Sequence, residues 1–443
     1  MLNKKESYAI IDKVLSYCNY YTMATLISHE EGLTRFANSE IHQNVFKSNN
    51  TLEITVYDGK KQSKNSTNIL DDESLKELVR KTEQNLRFMP EGEYEIPKVT
   101  APAEIANEEY DAELENAFGI PGRASLIKSC IESLDDDYTA SGAFSLSKMV
   151  FAMGNNSGIK RFCRLDNVSF NTVITHKNGP SGYAEYATDK SADMDVTKLF
   201  NSAYSKAKAA LNPESLEPGS YTVILEPLAV GDLLSYMSYV GFSAKSVDTG
   251  ISFLAGKKGQ QVFGENISIY DDHTDGNTFS LPFDFEGYER KKLNIIDQGV
   301  AKELAYDIRT ALKEGVDTTG HGLGEASSGG FPINLIMKNG AKSLEDIIKE
   351  TDNAILVTRF HYMNVVDPKK ALFTALTRDG LYMVKNGQIS HAVKNMRFTE
   401  SMLNAFNKVT EVSKDRTKVP GFFGVSYVPA LKIDDFHFTG KTE

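Results

Sequence analysis

Histidines beside carboxylates are the raw material of metal and general-base chemistry, and the second half of this chain holds His321, His361 and His391 with Glu325 and Asp367 as possible companions. No two of the histidines stand at the i, i+4 spacing that shares one helical face, and His29-Glu30 lacks a second His. His391, in SHAVKN on an expected strand, reads as a hydrogen-bonded structural residue. His361, in TRFHYMN beside Arg359 and two aromatics, has the surroundings of a substrate-facing side chain. Ser235, Ser327 and Ser328 carry hydroxyls, but no GxSxG elbow surrounds them, and they read as solvated or loop-capping.

The run GHGLGEASSGG at 320–330 is the most unusual local composition. Its glycines allow another backbone to approach closely, so His321, Gly322, Ser327 and Ser328 are candidates for clasping an extended peptide or covering a partner's site; a plain flexible connection is the alternative. The run lacks the Gly-Lys-Ser/Thr ending of a phosphate-binding loop and opens no βα dinucleotide unit.

The element around which such groups must be arranged is YTVILEPLAVGDLLSYMSYVGF, from Tyr221 to Phe242. Alternating Tyr221, Val223 and Leu225 predict a strand, and Pro227 suits the first turn of a helix. Leu228, Val230, Leu233, Leu234, Met237 and Val240 then give that helix a core-facing side, leaving Asp232, Ser235, Ser238 and Tyr239 opposite, which form no catalytic set.

Together with TRFANSEIHQN at 34–44, GENISIYDD at 264–272, PFDFEGYER at 282–290, TTGHGLGEASSGGFPINLIMKNG at 318–340, TRFHYMNVVDP at 358–368 and NGQISHAVKNMRFTES at 386–401, this stretch resembles the TldD/PmbA family over nearly the whole chain. The order of the motifs carries the likeness more than any one of them. In the family's TldD branch the central helix carries HExxxH, two His zinc ligands and a Glu that activates water. An ungapped placement puts that hexad on Ser235, Tyr236, Met237, Ser238, Tyr239 and Val240, and Cys18, Cys130 and Cys163 all precede the helix. The resemblance is therefore to the TldE/PmbA-like branch. It implies no cofactor in this chain, zinc in a TldD-like partner subunit, and an unfolded or extended peptide as substrate. It also implies that Arg35 and Asn38 help shape the chamber, joining His321, Gly322, Ser327, Ser328, Arg359 and His361 as peptide-binding candidates; for Arg35 a structural ion pair is the slightly favoured alternative. The competing readings are a self-sufficient hydrolase rebuilt from His321, Glu325 and His361, and a non-catalytic peptide-binding homodimer.

The 443 residues, 41% hydrophobic and 25% charged, suit two or three globular domains, and no apolar run is long enough to span a bilayer. A net charge of −11 disfavours nucleic acid as partner, and three scattered Cys residues suit a reducing, cytoplasmic setting. The expected class is α+β, with a mixed N-terminal half and a mainly antiparallel, β-rich C-terminal domain. Residues 1–88 read as an N-terminal α+β region, 89–114 as an acidic Pro-rich linker, 115–217 as a middle α+β region and 218–443 as the C-terminal domain. Within these, TMATLIS and LTRFANSEIHQNV read as two strands, and Asp72 caps a helix to Leu86. Asp58-Gly59, Asp379-Gly380 and Asn386-Gly387 read as turns.

Overall fold

The computed structural model describes residues 1–324, 329–421 and 424–441. Two sheets organise them. The first contains β1 (Tyr21–Ala37), β2 (Glu40–Asp58), β3 (Lys61–Thr67), β4 (Glu104–Asn107), β5 (Tyr138–Asn155), β6 (Lys160–His176) and β7 (Ser181–Thr188), in the order β3-β2-β1-β5-β6-β4 with β7 also on β6. Helices α1 (Lys4–Leu15), α2 (Asp72–Leu86), α3 (Glu113–Phe118), α4 (Ile120–Ile131) and α5 (Val196–Ala209) cover it. The strands of regions 1–88 and 115–217 thus share one sheet.

Three local expectations change. TMATLIS and LTRFA form one strand, β1, because Gly32 stays extended to make room for the buried Arg123 guanidinium, which lies 2.7 Å from where a Cβ would sit. The reversal comes at Asn38-Ser39, both with positive φ. Asp71, not Asp72, caps α2, accepting from the Ser74 amide at 2.8 Å. Segment 89–114 is no free tether: β4 pairs in parallel with β6, and Val99 and Leu114 are buried. Its Pro and acid content reports local solvation, whereas the open edge of β6 offers its backbone partners.

The second sheet contains β8 (Gly219–Leu225), β9 (Ile269–Asp271), β10 (Leu293–Asp297), β11 (Val300–Ala301), β12 (Asn334–Met337), β13 (Asn353–Asp367), β14 (Leu372–Lys385), β15 (Gln388–Ala392), β16 (Met396–Ser401), β17 (Val409–Gly421) and β18 (Gly424–Lys441). Most pairings are antiparallel; β8–β13 and β12–β18 are parallel. Because β8 pairs with both β13 and β18, the strands β8-β13-β14-β16-β18 close on themselves. Asp379-Gly380 is not a hairpin turn. Both residues have positive φ, but they make a bulge within β14, which runs on to Lys385. The whole is an α+β fold of the expected kind.

The predicted strand and helix are β8 and α6 (Pro227–Gly241), with Pro227 in the first turn. Ala229, Val230, Leu233, Leu234, Met237 and Val240 enter the core with Val223, Leu225 and Phe360. Gly231 lets β17 come close: a Cβ there would lie 2.6 Å from Val419 Cγ1. After α6 come α7 (Ala244–Asp248) and α8 (Ile308–Glu314). Among the described residues, no helix is long and apolar enough to cross a membrane.

Candidate functional site

The face of α6 opposite the core floors a groove. Asp232, Ser235, Tyr236 and Tyr239 line it on one side, and Pro332, Ile333 and the ends of β17 and β18 on the other, around a cavity of about 350 Å³. A second cavity of about 670 Å³ continues past Tyr239 and Phe331 towards Ile251, Val365 and Pro368. Tyr239 is 60% exposed, so the groove presents an aromatic ring to whatever enters. The hairpin end comes so near the helix that a Cβ on Gly421 would lie 2.7 Å from Ser235 Oγ.

The residues at the hexad positions have other work. Ser235 lines the groove. Tyr236 donates its hydroxyl to the Met363 carbonyl at 2.7 Å and packs edge-on to Phe373. Val240 is in the core. Two hydroxyls and a buried isopropyl group are not the donor set of a zinc held by two His. The described residues gather no three His, Cys, Asp or Glu side chains able to hold a metal.

At the head of the groove the two sheets meet through charge. Asp232 of α6 and Glu185 of β7 face the same space. Burial, then the Glu185 charge, pushes the Asp232 carboxyl up to about 7, against the pull of Arg359. Burial raises Glu185 likewise, while the Tyr183 hydroxyl, donating to Glu185 Oε2 at 2.7 Å, holds it down. Arg359 of β13 donates through Nε to Asp379 Oδ2 at 2.8 Å and lies 3.8 Å from the Tyr183 ring. Ser181 of β7 donates to the other oxygen of Asp379 at 2.6 Å. The bulge in β14 thus turns a carboxylate inward, where it binds groups from both sheets.

Of the eight predicted peptide-binding residues, the six that the structure describes do not gather at one site. Arg359 is committed to Asp379 of its own sheet and reaches the first sheet by stacking on Tyr183. His361, two residues on, is half-buried beside the Tyr362 ring, and its pKa is lowered by burial and by Arg378 and Arg359. His321 is not substrate-facing: it is wholly buried, with Nδ1 2.9 Å from the Thr319 carbonyl and Nε2 3.2 Å from Asp271 Oδ1. Burial, then the charge of Arg290, lowers its pKa. Gly322 packs on Glu286, where a Cβ would meet Oε2 at 2.2 Å, and its amide donates to Asp284 Oδ2 at 2.8 Å. Arg35 and Asn38 lie at the exposed β1–β2 turn of the first sheet, and the Asn38 amide donates to Ser141 Oγ. Ser327, Ser328 and Glu325 lie outside the described residues. His391 approaches Glu214 at 3.4 Å, as a structural residue does. Asp232, set aside as part of no catalytic set, and Glu185 are what the sequence reading missed; the only linear signal was an acid on an otherwise apolar helix.

Two sheets joined by a Ser181–Asp379 hydrogen bond and the stacking of Arg359 on Tyr183, with a groove floored by a strand-led helix, define the class of protein. The PmbA/TldA metallopeptidase C-terminal domain matches residues 218–440, from β8 to the end of β18. The chain belongs to the TldD/PmbA family, whose curated relatives carry the name metalloprotease. It is 24% identical over 388 residues to a metalloprotease of Methanocaldococcus jannaschii, covering 81% of this chain and 82% of that one. It is 34% identical to an uncharacterised protein of the same organism over 206 residues, 44% of this chain and 46% of the relative. In fold it matches TldE from Thermococcus kodakarensis with a TM-score of 0.86 at 21% identity, covering 98% of this chain and 99% of that one. A Thermotoga maritima protein described as a putative modulator of a DNA gyrase matches with a TM-score of 0.85 at 21% identity, covering 98% and 100%.

Proposed function

We propose that this chain is the zinc-free, TldE/PmbA-like subunit of a cytoplasmic TldD/TldE-type metalloprotease complex acting on unfolded or extended peptides. The observation that carries the reading is the chemistry of α6: Tyr236 is tied to a backbone carbonyl and Val240 is in the core, where the TldD branch has its Glu and a His. A TldD-like partner supplies the zinc, its ligands and the general base. This chain supplies walls to a shared chamber, and its α6 groove, apolar with polar groups at its head, suits an extended segment held largely through its backbone.

The test is co-purification with a TldD-like protein from the same source, then metal analysis and peptide cleavage by each chain alone and by the mixture. Zinc and cleavage confined to the partner and the mixture, with the partner's HExxxH Glu required, is the expected result. Peptide cleavage by the isolated chain, or one stoichiometric zinc bound to it, overturns the reading. A stable symmetric homodimer that ignores the TldD-like protein would instead support a peptide-binding scaffold.

A further inference from the structure

A separate cavity of about 240 Å³ lies between the first sheet and the segment 285–288 with α8, and shares no lining residue with the first groove cavity. One wall is the face of β1 and β2 bearing Tyr21 and Tyr57; the opposite wall is Phe285, Glu286 and Tyr288, with Arg309 of α8 at its side. Two ring pairs stand on the lining, Tyr21 with Tyr57 at 5.4 Å between centroids and Phe285 with Phe151 at 5.0 Å, beside Thr25, Thr51 and Thr55 and a Lys64–Glu53 ion pair at 2.8 Å. The phenols of Tyr57 and Tyr288 are raised by burial and then by Glu286, which places that carboxyl among them.

The polar groups are only half used. Glu286 Oε2 accepts from the Ile308 amide at 2.8 Å. Its Oε1 stands 3.7 Å from Arg309 Nη1, too far for a hydrogen bond, while Arg309 Nη2 donates to Gln62 at 2.6 Å. A carboxyl oxygen and a guanidinium nitrogen therefore border one space as a loose ion pair, with no hydrogen bond between them. A simple cation entering there meets the Arg309 charge, while Glu286, whose carboxyl is pushed up to about 8 by burial and then by Asp284, takes an ammonium group by giving up its proton. A molecule carrying both charges a few ångströms apart satisfies both.

We propose that this cavity binds a free α-amino acid with an apolar side chain, its ammonium group on Glu286, its carboxylate on Arg309 and its side chain among Tyr21, Tyr57 and Phe285. Such a ligand bridges the first sheet and α8 and stabilises their arrangement by mass action. The site stands independently of the accessory-subunit reading.

Calorimetric titration of the full chain with L-phenylalanine, L-leucine and L-methionine tests it, alongside L-phenylalaninamide and N-acetyl-L-phenylalanine. At least one free amino acid binds in the millimolar range or tighter, and each blocked form, lacking one charge, binds roughly ten- to a hundred-fold more weakly. Glu286→Gln and Arg309→Met lose binding by a similar factor. Because Glu286 also holds the Ile308 amide, Thr25→Leu serves as a second variant: it narrows the cavity from β1, touches neither charge, and weakens binding. No binding by the wild-type chain at about 10 mM, blocked forms equal to free ones, or folded variants that bind like wild type overturns the proposal.

Discussion

Replacing Asp232 with asparagine tests whether the head of the groove carries a real electrostatic cost. The carboxyl is held at about 7 in the fold, chiefly by burial and then by Glu185, against a usual aspartate value of 3.8. Between those values the folded state keeps a proton that the unfolded chain has released. Stability therefore falls as pH rises through this window, and the loss is complete above about pH 7. At about 1.36 kcal/mol per pH unit the ceiling is roughly 4 kcal/mol. Water entering the groove and joint titration with Glu185 reduce the expected effect to about 2 kcal/mol. Asparagine keeps the shape without the charge. Urea unfolding of both proteins, followed by circular dichroism at about pH 5 and about pH 8, reads the difference directly. Comparing the two proteins at each pH cancels other raised carboxyls such as Asp284 and Glu286. The Asp232→Asn protein should gain about 2 kcal/mol on the wild type between the lower and the higher pH. A difference that stays constant with pH, or a variant that is the less stable of the two at pH 8, refutes the reasoning.

Further outcomes follow from the same geometry. Tyr236→Phe removes one hydrogen bond to the Met363 carbonyl, so it should cost about 1 kcal/mol in denaturant unfolding and leave peptide cleavage by the reconstituted pair unchanged. His321→Ala strands the wholly buried Asp271 carboxylate and should cost about 3 kcal/mol or more, seen as a lower thermal midpoint, with the metal content of the isolated chain unchanged. Gly231→Ala drives a methyl group to within 2.6 Å of Val419; a loss of roughly 1–3 kcal/mol is expected, and differential scanning fluorimetry measures it. Arg359→Lys cannot reproduce the paired approach of Nε and Nη2 to Asp379 with its stacking on Tyr183, so it should destabilise the junction between the sheets by about 1–2 kcal/mol, visible as faster proteolysis between them.

Several features were legible in the chain because they are local. Alternation followed by Pro227 placed β8 and α6, and the apolar positions of α6 all pack in or against the core. Asp58-Gly59 and Asn386-Gly387 turn two hairpins, where glycine meets the positive φ. The order of motifs pointed to the family that the C-terminal match shows. The ungapped placement of the hexad on Ser235, Tyr236 and Val240 rests on the sequence alone.

The standing of each polar residue was decided only by tertiary structure. His321 and His361 both read as peptide-binding candidates, yet one is sealed against Asp271 and the other is half-buried beside Tyr362. Arg359 became a tie between sheets because a bulge in another strand turned Asp379 towards it. Asp232 holds its proton because the fold buries it and sets Glu185 of the other sheet beside it. Segment 89–114 joined a sheet because β6 had an unpaired edge. Periodicity and turn chemistry depend on neighbours along the chain. Desolvation and charge pairing depend on which distant segments cover a group, and no linear pattern records that.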